Sequence, residues 1–75
     1  MLDKIPWDFA KIDGARLKRL RKESGITQFN FSKMAGLLPN AVRILEGKSS
    51  AKMFRERARR LAAALNFALP ELLNL

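Results

Sequence analysis

Gly25-Ile26-Thr27-Gln28-Phe29-Asn30-Phe31-Ser32-Lys33-Met34-Ala35-Gly36-Leu37-Leu38-Pro39-Asn40-Ala41-Val42-Arg43-Ile44-Leu45-Glu46 is the stretch on which the reading of this chain turns. It predicts two short helices joined by a tight turn at Gly36. Thr27 offers a side-chain oxygen to the start of the first helix. Asn30 is an imperfect substitute for the Glu or Gln of a full capping box. Gly36 supplies left-handed backbone that other residues adopt only at a cost. Pro39 falls at the first position of the second helix, where proline is favoured, and Gly47 bounds the other end. Leu38, just before it, has no capping oxygen, so this helix starts weakly. Phe31, Ser32 and Ala35 share a face of the first helix, with Met34 at its edge, and Leu37 drops into the core at the turn. Val42 and Leu45 point inward from the second, with Glu46 beside them. At about 100° per residue, Asn40, Arg43, Ile44 and Gly47 fall on the opposite side.

The flanks extend the helical pattern. Asp13 is a plausible N-cap for a helix running to about Ser24, and Gly25 stops it. Leu17 and Leu20 form its inner face, with Ala15 or Arg21 beside them, while Arg16, Lys18, Arg19 and Lys22 form its wet face. Downstream, Ser49 or Ser50 can cap a fourth helix through about Leu65. Its apolar side is Phe54, Ala58, Leu61 and Leu65, at helical spacings. Arg55, Arg57, Arg59 and Arg60 line its other sides. Asn66 ends it, and Pro70 opens a short, Leu-rich fifth helix over Glu71 to Leu75.

Residues 1–13 read as a separate N-terminal extension, in which Pro6 opens a helical turn over Trp7 to Ile12. Ile5, Phe9 and Ile12 fall on one side of that turn. It is expected to cover the core; a flexible arm or a dimer contact is the alternative. Phe29 and Met34 are expected to lie under this piece, with Trp7 a candidate cover, or else to form an exposed partner patch. No segment alternates strictly enough to predict a strand. The expected architecture is all-α: a compact five-helix domain over residues 14–75.

Composition narrows the function. The chain has 75 residues, enough for one domain with a modest core. Fifteen Lys and Arg against seven acids give a formal charge of +8, which favours a polyanionic partner. There is no Cys and no His, which removes disulfides, thiolate or imidazole metal sites and His general bases. No metal or cofactor is expected. No apolar run is long enough for a membrane span, and the acids Asp3 and Asp8 argue against a signal peptide. The default location is cytoplasmic, on the nucleoid. In a basic chain, two short helices about a tight turn have one leading explanation: a helix-turn-helix that lays its second helix in the DNA major groove.

These residues resemble the Cro and phage-repressor type helix-turn-helix family, the lambda-repressor-like domain. The resemblance rests on Arg21, Gly25-Ile26-Thr27-Gln28, Phe31-Ser32, the turn Gly36, the inward Val42 and the closing Glu46. Leu61-Ala62-Ala63-Ala64-Leu65 is similar to the family's fourth-helix signature, and Phe67 to Leu73 to its short fifth helix. The likeness spans residues 14 to 73. Three departures stand out. Ser32 replaces the usual Ala. Pro39 stands where a base-reading Gln is frequent, so readout must shift to neighbours. The glycine after Glu46 also comes one position early, which leaves the placement of the fourth helix open.

Asn40, Arg43 and Ile44 are the base-reading candidates: Asn pairs bidentately with adenine, Arg with guanine, and Ile covers a thymine methyl. A solvated helix face with one stray apolar residue is the alternative. The resemblance implies a phosphate contact for Gln28 at a helix start, where Thr27 also sits, and a structural ion pair between Arg21 and Glu46. Lys48, Ser49, Ser50, Lys52 and Arg55 are placed to hold phosphates, with Lys33 a weaker candidate. Leu69, Leu72, Leu73 and Leu75 are expected at a homodimer interface, or as a cap on the chain's own core.

The leading expectation is therefore a sequence-specific duplex-DNA-binding regulator, a repressor acting as a homodimer on a palindromic operator. The alternative is an antitoxin-type, phage or plasmid protein that mainly binds a toxin or another protein. A membrane-surface helix is disfavoured by the Gly, Pro and capping punctuation. An enzyme is disfavoured because no nucleophile motif, paired acids or phosphate-cradling Gly loop exists.

Overall fold

The computed structural model describes residues 9–67 and Leu72. In chain order these form β1 (Phe9–Ile12), α1 (Gly14–Glu23), α2 (Gln28–Met34), α3 (Ala41–Glu46), β2 (Ala51–Phe54) and α4 (Arg55–Ala64). This corrects the all-α, five-helix expectation. The described residues contain four helices and a two-stranded antiparallel sheet. Apart from Leu72, the expected fifth helix lies outside the described residues, as do Trp7 and the rest of residues 1–8.

The helical turn expected before Asp13 is instead β1. It pairs with β2 in the register Phe9 opposite Phe54, Ala10 opposite Met53, Lys11 opposite Lys52, and Ile12 opposite Ala51. Four residues carry too little periodicity to declare a strand, and the partner lies on the far side of the three-helix segment. An isolated two-stranded ribbon is marginal in water. Here α4 packs against both strands, and Ala10, Ile12 and Ala51 are buried.

The same pairing moves Phe54. Expected on the apolar side of the fourth helix, it belongs to β2 and stacks on Phe9 across the strands, with ring centroids 4.9 Å apart and planes at 18°. Strand alternation turns both rings outward. The inner face of α4 is instead Ala58, Leu61 and Ala62, with Leu65 just beyond its end. Neither Ser49 nor Ser50 caps this helix. Phe54 occupies the cap position without a side-chain cap bond, and Glu56 lies in the first turn, where it complements the helix dipole.

The start of α1 is capped as expected. The Asp13 carboxylate accepts from the backbone N–H of Ala15 at 3.1 Å and of Arg16 at 3.2 Å. Gly14 has a packing role, since a Cβ there would collide with the backbone carbonyl oxygens of Leu45 and Lys48. Its bare backbone lets the start of α1 rest against the end of α3. Between α2 and α3, Gly36 turns the chain at φ +72°. The core gathers Ile12, Leu17, Phe31, Val42, Leu61 and Leu72, all fully buried. Leu72 closes this core from the C-terminal side, and its carbonyl accepts from the Asp13 N–H at 2.9 Å. Among the described residues, no helix is long and apolar enough to cross a membrane.

Candidate nucleic-acid interface

A short helix can present side chains in a fixed geometry only if its neighbours hold it. α3 has six residues, too few to be stable alone. Two polar arrangements secure it. At its C-terminal end, Glu46 forms an ion pair with Arg21 of α1. The Arg21 Nε donates to Glu46 Oε2 at 2.5 Å and its Nη2 to Oε1 at 3.1 Å. Arg21 Nη1 donates to the Ile26 carbonyl at 2.7 Å. The Gln28 side-chain amide donates to Glu46 Oε1 at 3.0 Å. The side chains of Arg21 and Glu46 are only 10% and 3% exposed, so the carboxylate is desolvated and depends on these three donors.

The phosphate contact that the resemblance implies for Gln28 meets a competitor. Its amide nitrogen is engaged with Glu46, because the carboxylate retains acceptor capacity beyond its fork with Arg21. The residue therefore ties α2 to α3. Thr27 caps α2, its hydroxyl accepting from the Asn30 N–H at 3.1 Å.

The N-terminal end of α3 is held from outside the helix. Pro39 precedes the helix rather than opening it, and Asn40 is the N-cap residue but makes no side-chain cap bond. The capping oxygen comes from α2. The fully buried Ser32 accepts from the Val42 N–H at 3.1 Å and donates to the Gln28 carbonyl at 3.0 Å. Sequence reasoning does not reach this role. Its signal is the weak start of α3, which needs an oxygen from elsewhere, together with a serine on the inner side of the preceding helix.

With α3 fixed, its outer side is exposed. Asn40 and Arg43 are exposed, and Ile44 retains 47% of its surface. Ile44 and Asn40 also line a groove of about 380 Å³ between α3 and the sheet. The groove's remaining lining is mostly apolar, and among the described residues its charged members are Lys52 and Arg57. The other phosphate candidates are more scattered. Lys48, Ser49 and Ser50 are exposed in the link between α3 and β2. Lys52 points outward from β2, its Nζ 4.5 Å from the centroid of the Phe9 ring. Arg55 gives one of its donors to the Phe9 carbonyl at 3.1 Å, which locks α4 to β1. Lys33 sits on α2 over the Phe29 ring at 5.3 Å.

Leu72 belongs to the chain's own core, so its side chain is not offered to a partner. Leu69, Leu73 and Leu75 lie outside the described residues. Phe29 and Met34 are 52% and 56% exposed. The part of the N-terminal piece expected to shield them that is described, β1, packs on β2 and α4 instead. Lys11 is a further exposed cation that the sequence hides, because it falls there within a supposed helical turn.

Comparison with family models, with curated proteins and with solved structures returns no match for this chain. Any functional reading therefore rests on the chemistry of these residues.

Proposed function

We propose that this chain is a sequence-specific duplex-DNA-binding regulator that places α3 in the major groove. One observation carries the reading: a short helix, clamped at both ends, presents an amide, a guanidinium and an aliphatic side chain together on its exposed side. Asn40, Arg43 and Ile44 match the edges of adenine, guanine and thymine in chemistry. The charge of +8 supplies the non-specific attraction to phosphate, and Lys48, Ser49, Ser50 and Lys52 flank the helix to set its register. The helix order and the Arg21–Glu46 pair agree with a Cro and phage-repressor type helix-turn-helix. The preceding strand does not belong to the five-helix form of it.

In this reading the protein acts as a repressor and not as an enzyme. Two copies bind a palindrome with their α3 helices about 34 Å apart, one turn of DNA. A second reading, capture of a partner protein, has one specific support. Phe29 and Met34 are each more than half exposed on α2, and a partner that covered either would bury a large apolar side chain. Amide chemical-shift mapping with a pool of mixed-sequence duplexes separates the two. Perturbations centred on residues 40–48 support the DNA role. Perturbations centred on Phe29 and Met34, or none at all, contradict it.

A further inference from the structure

The outer face of the sheet breaks a rule of strand pairing. Side chains directly opposite in an antiparallel pair have Cβ atoms only about 4.5–5.5 Å apart, so like charges there are destabilising. The outer face has two such cross-strand pairs. Phe9 against Phe54 is favourable, an offset stack of exposed rings. Lys11 against Lys52 is not: it places two lysines directly opposite each other in the register. Neither strand carries an acid to compensate. Lys52 turns from its opposite number to lie over the Phe9 ring at 4.5 Å, and Arg57 lies over the Phe54 ring at 5.4 Å. The aromatic stack thus holds one lysine of the pair and adds Arg57 beside it. A locally unfavourable arrangement of this kind is expected where a ligand compensates it. An anion large enough to meet several separated cations would compensate it.

Position identifies that anion. The groove between α3 and the sheet is lined by Asn40 and Ile44 on one side and by Phe9, Lys52 and Phe54 on the other. The cationic sheet and the exposed side of α3 therefore border one surface. We propose that the sheet is a second anchor for the same duplex. Lys11 and Lys52 take phosphates flanking the bases met by α3, and the Phe9–Phe54 stack positions Lys52 and Arg57. This rests on the DNA reading above. Phosphate oxygens between the two ammonium groups turn a repulsive pair into a bridged one. The contact carries no base preference and adds affinity, register and salt dependence.

The test uses Lys11→Gln, Lys52→Gln and Phe9→Leu in the full chain. The probe is the duplex most enriched from a random pool, titrated from roughly 50 to 200 mM salt. Each lysine variant is expected to lower the slope of log K against log salt by about one unit and to leave the order of preference among duplexes unchanged. Phe9→Leu is expected to weaken binding with the same preference, since it keeps an apolar side chain but removes the π face under Lys52. A second readout is the melting temperature without DNA. Relief of the like-charge pair keeps Lys11→Gln as stable as the parent or raises it, so stability and affinity move apart. An unchanged slope for Lys11→Gln overturns the proposal. So does a fall in melting temperature that accounts for the lost binding. Loss of binding to phosphatidylglycerol vesicles alone, with duplex binding intact, also overturns it and assigns the face to lipid. If the parent chain enriches no duplex, the DNA reading itself fails before the sheet is in question.

Discussion

Replacing Ser32 with alanine should remove the cap of α3 without touching any exposed residue. Ser32 is fully buried, and its hydroxyl is the acceptor for the Val42 N–H. A methyl group in its place would leave that donor buried among Phe31, Val42 and their neighbours with no oxygen to meet it. A buried unsatisfied donor costs about 1–3 kcal/mol. The loss of the bond to the Gln28 carbonyl adds little, because that oxygen is also a helix acceptor. Not having to bury a hydroxyl gives part of the cost back. A net loss of about 2 kcal/mol follows, and for a domain of this size it lowers Tm by roughly 8–16 °C. Thermal unfolding followed by circular dichroism measures the shift. Exchange at the Val42 amide, which should quicken more than exchange in α1, locates it. Ser32→Cys, which keeps most of the volume and a weak acceptor, should fall between the two. A Tm for Ser32→Ala within about 2 °C of the parent would show that the hydroxyl does not hold α3, and the reasoning fails.

The ion pair at the other end of α3 is more sensitive. Glu46→Ala strands the Arg21 guanidinium at a site only 10% exposed and should cost ~3–5 kcal/mol, readable as a lower urea midpoint; an unmoved midpoint removes the pair from the stability account. Gly14→Ala should destabilise through a clash with the Leu45 and Lys48 carbonyls. Melting at the parent temperature would mean that α1 and α3 can separate there without cost. Arg43→Ala should relax preference at one base position at a cost of about 1–3 kcal/mol in binding while leaving Tm near the parent value. Uniform weakening across all duplexes would make Arg43 a phosphate contact instead.

The parts of this fold that are local in sequence are legible there. Asp13 and Thr27 cap their helices because a short side-chain oxygen one residue before an amphipathic run has few other uses. Gly36 marks the turn through a backbone conformation open to few residues. The sheet is not legible because β1 is defined by what it meets: Phe9 to Ile12 form a strand only against Ala51 to Phe54. Phe54 misleads further, since its spacing to Ala58 fits a helix face as well as a strand end. The site follows the same division. The exposed side of α3 comes from helical geometry alone. The engagement of Gln28 with Glu46 and of Ser32 with Val42 depends on how α2 lies against α3, which no spacing within either helix specifies. Leu72 looks like a dimer residue because a short Leu-rich tail has no visible partner in sequence; in the fold, its partner is the chain's own core.

Selection from a pool of random duplexes at about 150 mM salt, with sequencing of the bound fraction, puts the regulator reading at most risk. A two-fold symmetric enriched site, with half-sites about one helical turn apart, is the expected result. Its adenine and guanine positions should lose enrichment in Asn40→Ala and Arg43→Ala respectively. No enriched sequence, with binding that merely fades as salt rises, would contradict a sequence-specific regulator and leave only general polyanion attraction.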